Sequence, residues 1–367
     1  AWTAPAQSAS GSFDLTFTVN TDKVQLNTLE KVDGAVITVT PSRTGGNVDG
    51  GSWQMTPAAA QTITTSGHTQ DDSFHLNGGD GSATWTVHYE VSKTSTSMLS
   101  GQEGPFTSQA EADAAAEAAK NAAIGQLQNE AQGMVDAAIA SARAQLANIA
   151  FSYDEITIPH GFDSTPGALG SHQTITVPAN SSNDYKMQND EWSVKVSIDK
   201  IDSETKQRIK GDAEFKIFAW DTVRQCYIPN GGYNQYKVER QSNGIYKVIN
   251  HSNYANGSDN IYYTQRNEGK FVIVESRAPS GYYGDWSDVN APGTAGSVEI
   301  TKAQDGQTIW LGNADYNADI TTANSGGTLI DTGEGVVTIT FGSRNADNVA
   351  HLLNYLLLPF RANRGQQ

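Results

Sequence analysis

The residues best placed to do chemistry are a lysine, a glutamate and an asparagine that each close a run of alternating apolar residues. Trp192, Val194, Val196, Ile198 and Lys200 all have even numbers, Phe271, Ile273 and Glu275 share odd ones, and so do Ile309, Leu311 and Asn313. Side chains alternate across a β-strand, so each polar group is expected on the face that carries its apolar neighbours. Burying a lone charge is costly: a buried amine tends to lose its proton and a buried carboxylate to keep one. A neutral amine beside a protonated carboxyl and a side-chain amide is the set needed for amide exchange. The amine attacks the amide carbon, the acid polarises the carbonyl and relays protons, ammonia leaves, and an isopeptide bond remains. The third partner is open, because Asp315 and Asn317 compete with Asn313. The same pattern also fits a plain buried Lys200–Glu275 ion pair, or a Lys200 that snorkels to the rim.

Two stretches around these residues carry a family signature. Val196-Ser197-Ile198-Asp199-Lys200-Ile201-Asp202, followed by Ile209-Lys210-Gly211-Asp212-Ala213-Glu214-Phe215, resembles the opening of a Cna-B or SpaA-type (prealbumin-like) module of Gram-positive surface proteins. Phe271-Val272-Ile273-Val274-Glu275-Ser276-Arg277-Ala278-Pro279-Ser280-Gly281-Tyr282 resembles that family's glutamate strand and the turn after it. The resemblance covers about a third of the chain. It implies a β-sandwich over residues 191 to about 318, with Lys200 as the crosslinking lysine, Glu275 as the catalytic acid and an Asn or Asp on the last strand. Some features depart from the pattern. Lys206-Gln207-Arg208 replaces a Gly-containing turn, Asp212 stands where a small residue is usual, and an insertion separates Ile217 from Lys270. No Tyr-Pro-Lys motif is visible, which argues against sortase polymerisation through this chain, and the Leu-Pro-x-Thr-Gly sorting motif is absent.

The elements that must position these groups are mostly strands. Residues 12 to about 97 alternate: Phe13, Leu15, Phe17 and Val19 share a parity, and residues 84–91 alternate again. Turn clusters such as Thr44-Gly45-Gly46-Asn47 separate the runs. From Ser108 the pattern becomes helical. Ser108 and Glu111 make a capping box ahead of an Ala-rich stretch in which Ile124, Leu127, Met134, Val135, Ile139, Leu146 and Ile149 recur near helical spacing. Gly125 and Gly133 leave a continuous helix and a helical hairpin both open, and the apolar stripe fits either self-packing or a partner helix. Strand signals return at Ile156-Thr157-Ile158 and at Gln173-Thr174-Ile175-Thr176-Val177, and the polar run from Asn180 to Asp190 reads as a linker.

The expected fold class is therefore mainly β: tandem antiparallel β-sandwich (Ig-like or prealbumin-like) domains with an Ala-rich helical insertion. Residues 1–190 form an N-terminal β-domain with the insertion at about 107–150, residues 191–318 the second sandwich, and residues 319–367 an extension or the start of a further module. Thr328 to Phe341 is expected to hold two strands.

Composition narrows the function. The net charge of −16 repels phosphate backbones and anionic lipid, so nucleic acid is not an expected partner. No apolar run is long enough to span a membrane. The single cysteine, Cys226, cannot make an internal disulfide and reads as a buried apolar residue, so strength must come from elsewhere. His68, His75, His88, His160, His172, His251 and His351 lack metal spacing, Asp71, Asp72 and Asp80 lack a calcium-loop register, and no metal or other cofactor is expected. No P-loop, nucleophile elbow or dinucleotide fingerprint appears, so no enzyme is expected beyond autocatalytic isopeptide formation. The expectation is an extracellular, cell-surface adhesin or stalk stapled by a Lys–Asn bond. The alternative is a glycan- or protein-binding module of a secreted bacterial protein, recognising a host or matrix partner through loop aromatics such as Tyr282, Tyr283 and Trp286.

Overall fold

The computed structural model describes residues 1–67, 78–200, 207–209, 211–223, 225–229, 235–252, 255–277, 279–280, 296–311 and 328–330. The first body contains β1 (Trp2–Ala4), β2 (Ser8–Gln25), β3 (Val36–Pro41), β4 (Gly45–Val48), β5 (Gly51–Thr56), β6 (Gln61–Thr64), β7 (Asp80–Thr94), β8 (Leu99–Gly101), α1 (Gln109–Gln145), β9 (Asn148–Thr157), β10 (Phe162–Ser164), β11 (His172–Pro178) and β12 (Asp184–Glu191). One sheet runs β10-β12-β2-β7-β5-β4 and the facing sheet β11-β9-β3-β6, with β1 and β8 forming a separate ribbon. The alternation seen in the sequence sorts side chains between core and solvent: Phe13, Leu15, Phe17, Val19, Trp85, Val87 and Tyr89 are buried, and they meet Ile37, Val39, Phe151 and Tyr153 of the other sheet.

The strands after the helix complete this body, which makes α1 an insertion within it. β9 pairs with β3, and β12 pairs with β2. The run expected to be a linker is therefore largely strand β12. Its polar residues misled because an edge-proximal strand needs only alternate apolar residues, and here Met187 supplies the core contact. Most pairings are antiparallel, but β12 runs parallel to β2, so the last strand of the body lies beside its first long one.

α1 is one continuous helix of 37 residues, not a hairpin. The Ser108 hydroxyl caps it, accepting from the Glu111 N–H at 3.2 Å, whereas the Glu111 carboxylate reaches back to Thr107. The buried stripe is Ala123, Leu127, Ala131, Val135, Ala138 and Ala142. It packs on β1, β2 and β7 of its own chain. Small alanines let the helix approach closely: a Cβ on Gly11 of β2 would lie 2.8 Å from Val135.

The second body contains β13 (Ser193–Ile198), β14 (Glu214–Asp221), β15 (Cys226–Pro229), β16 (Tyr236–Arg240), β17 (Tyr246–Asn250), β18 (Asn260–Tyr262), β19 (Lys270–Arg277), β20 (Gly296–Glu299), β21 (Gln307–Leu311) and β22 (Thr328–Ile330). β16-β17-β13-β21-β22 form one sheet, with β18 also on β13, and β15-β14-β19-β20 form the other. Val194, Val196, Ile198 and Ile309 face Ile217, Phe271 and Ile273 across the core. Here too the first strand has a late strand parallel beside it, β13 with β21. The Cys226 side chain, His68, His75, His351, Asp71, Asp72 and the expected second strand after Ile330 lie outside the described residues.

Candidate functional site

Lys200 follows β13 directly and keeps its parity, so its side chain continues the Val194, Val196, Ile198 stripe into the sandwich. Glu275 does the same on β19 after Phe271 and Ile273. The two meet inside the core: Lys200 Nζ lies 2.9 Å from Glu275 Oε2, with side chains 6 % and 0 % exposed. Burial pushes the Glu275 carboxyl above its usual range, and the Lys200 ammonium pulls it part of the way back. Asn313, Asp315 and Asn317 lie outside the described residues. What the described chain does show is the approach to them. β21 ends at Leu311, which is in register with Ile198. Lys200 and Asn313 each follow that pair by two residues in sequence.

Tyr282, Tyr283 and Trp286 also lie outside the described residues. The described aromatic residues of the second body are mostly core. Tyr227, Tyr236, Tyr246, Tyr262 and Tyr263 are buried, and several stack edge-on, such as Tyr236 on Phe271. Among the described histidines, His88 pairs with the carboxylates of Asp14 and Glu90, His172 with that of Asp154 and His251 with that of Glu239, and no group of potential metal ligands occurs among the described residues.

The first body holds a second buried set that the sequence reading missed. Lys23 near the end of β2, Glu155 on β9 and Asn189 on β12 converge in the core. Lys23 Nζ is 3.0 Å from Glu155 Oε2, and both side chains are fully buried. Asn189 Nδ2 donates to the same Oε2 at 2.7 Å, and the Ser171 hydroxyl donates to it at 3.0 Å. Burial pulls the Lys23 ammonium down to about 8, although the nearby Glu155 charge works to hold its proton. The signal that could have found this set was already in use for Lys200. Lys23 keeps the odd parity of Phe13, Leu15, Phe17 and Val19, Glu155 that of Phe151 and Tyr153, and Asn189 that of Met187.

No family model matches the chain, and no curated protein matches it in sequence. Among solved structures it is similar to the Bacillus anthracis TIE protein, at 14 % identity and TM-score 0.34, with 81 % of this chain and 33 % of that one covered. It is similar to a streptococcal ancillary pilin at 11 % identity and TM-score 0.21, over 86 % of this chain and 61 % of that one. It is likewise similar to BcpA, the major pilin subunit of Bacillus cereus, at 11 % identity and TM-score 0.22, over 82 % and 70 %. The chain thus spans about a third of the first of these proteins and about three fifths of the second. These are distant likenesses, and the functional reading rests on the chain's own side chains.

Proposed function

We propose that this chain is a load-bearing piece of a Gram-positive cell-surface structure, and that its second body staples itself through a Lys200–Asn313 isopeptide bond promoted by Glu275. The observation that carries the reading is the Lys200–Glu275 contact at 2.9 Å, with both side chains buried. A buried ion pair is poor value as a stabiliser, since desolvation offsets most of the attraction. The same pair is well suited to an amine nucleophile. Burial raises the proton affinity of Glu275, and it touches the amine directly, so its carboxylate can take the amine's proton and, as the acid, return it to the leaving nitrogen. The register of β13 with β21 supports Asn313 as the amide, with Asp315 and Asn317 as the alternatives. A covalent tie between the first and a late strand resists pulling without any disulfide, which suits a chain with one cysteine.

Tryptic mapping of the full chain tests this. Trypsin does not cut after an acylated lysine, so the bond predicts a branched product of residues 196–206 and 303–344. Its mass would fall about 17 Da below the sum for an Asn partner, which loses ammonia, and about 18 Da below it for an Asp partner, which loses water. Free cleavage after Lys200 in the folded protein would sink the proposal.

A further inference from the structure

The first body presents the same chemistry with all three groups in place. Lys23 and Asn189 sit on neighbouring parallel strands, where Met187 is opposite Lys23 and Asn189 is opposite Gln25. Their side chains therefore share a face and lie diagonally within reach of each other. Glu155 comes across from the opposing sheet and touches both through one oxygen, Oε2. The cluster is poorly satisfied as it stands. Among the described residues, Lys23 Nζ has no well-aligned hydrogen bond, and Glu155 Oε1 and Asn189 Oδ1 have no partner, although all three are buried. A purely structural polar network normally fills such sites, because each orphaned buried atom is costly.

We infer that Lys23 and Asn189 become joined by a second intramolecular isopeptide bond, with Glu155 as the catalytic carboxylate. The inference uses the chemistry proposed for Lys200 but does not depend on that bond forming. The Lys23 ammonium gives one proton to Glu155 Oε2 and the neutral amine attacks Asn189 Cγ. The tetrahedral adduct loses a second proton from the lysine nitrogen as the Cγ–Nδ2 bond breaks, and Nδ2 leaves as ammonia. Glu155 contacts both nitrogens, so it can carry protons from one to the other. The product is a neutral Nζ–Cγ amide plus one ammonia, with no oxidation or reduction. The low proton affinity of the buried Lys23 favours the attacking form.

The bond would have a clear mechanical consequence. β12 ends at Glu191 and β13 begins at Ser193, so load from the second body enters the first through β12. A Lys23–Asn189 bond would pass that load straight to β2. Strands β3 to β11 and α1 would lie inside the closed loop, off the line of force.

The same digest of the full wild-type chain reads this bond separately from the one at Lys200. It predicts a branched product of residues 1–31 and 187–195, about 17 Da lighter than the sum because one ammonia is lost. Glu155→Gln keeps the shape of the site but removes the proton carrier, and its digest should return residues 24–31 and 187–195 as separate linear peptides. Lys23→Met should do the same for 187–195. Separate linear peptides from the folded wild-type chain would overturn the inference, whatever happens at Lys200. So would a branched product that survives intact in Glu155→Gln. A branched product at Lys23 with free cleavage after Lys200 would support this bond and sink the other.

Discussion

At the scale of single residues, both bodies solve the same problem in the same way. A lysine is carried into an apolar core by strand parity and meets a glutamate there, at 2.9 Å in one case and 3.0 Å in the other. The difference between an ion pair and a covalent bond shows in how Lys23 titrates. An unbonded Lys23 releases its proton at about 8 in the folded protein and at 10.5 in the unfolded chain. Between those values the unfolded chain binds more protons, so its contribution to stability grows as pH rises through that window and is lost as pH falls through about 8. An amide does not titrate at all. In Asn189→Ala, where no bond can form, the first body should therefore gain up to about 3 kcal/mol between pH 8 and 10.5 relative to wild type. Urea titrations at the two pH values measure it, and equal slopes for both proteins would show that wild type is unbonded.

At the scale of elements, α1 shows how composition and packing divide the work. Its long run of alanines and charged residues favours a helix by propensity, and the alanine stripe permits a close approach to β2 and β7. The glycines that left a break open do not produce one. Once Val135, Ala138 and Ala142 are buried against the strands, packing holds the middle of the helix. A Cβ on Gly133 would meet nothing within 4 Å. Gly133→Ala should thus stabilise the body by about 0.5–1 kcal/mol. Gly11→Val, on the strand beneath, should destabilise it by about 1–3 kcal/mol through overpacking against Val135 and Ile139. Thermal melts of the two variants should move in opposite directions. Movement in the same direction would mean that the helix does not rest on β2.

At the scale of the molecule, the two bodies are docked rather than strung. Gln25 Nε2 donates to the Tyr263 carbonyl at 2.8 Å, and Gln265 makes a reciprocal pair with the backbone of Asp33 at 2.7 and 2.8 Å. Val32 and Phe162 of the first body join the second core beside Trp192 and Tyr263. Gly161 is required here, because a Cβ would lie 2.1 Å from the Tyr263 ring and the residue has φ of +96°. Gln265→Ala removes both hydrogen bonds to Asp33 and should loosen the junction by about 1–3 kcal/mol. Calorimetry of the full chain should then resolve the unfolding of the two bodies further apart than in wild type. An unchanged trace would mean that the junction does not couple them.

Parity alone placed Lys200 and Glu275 on the inner face, and an alternating pattern needs no partner to be read. The same property fixed the mainly β class, the helical interruption after Ser108 and the apolar faces of β2 and β7. Pairing across long sequence distances was not readable in that way. Nothing local states that residues 184–189 lie beside residues 20–25, so a polar strand looked like a linker and Asn189 went unnoticed. Lys23, Glu155 and Asn189 belong to three strands separated by a helix and most of a sandwich. Only tertiary packing brings them to one oxygen atom, because their meeting depends on sheet order and on the distance between sheets, neither of which any single segment encodes.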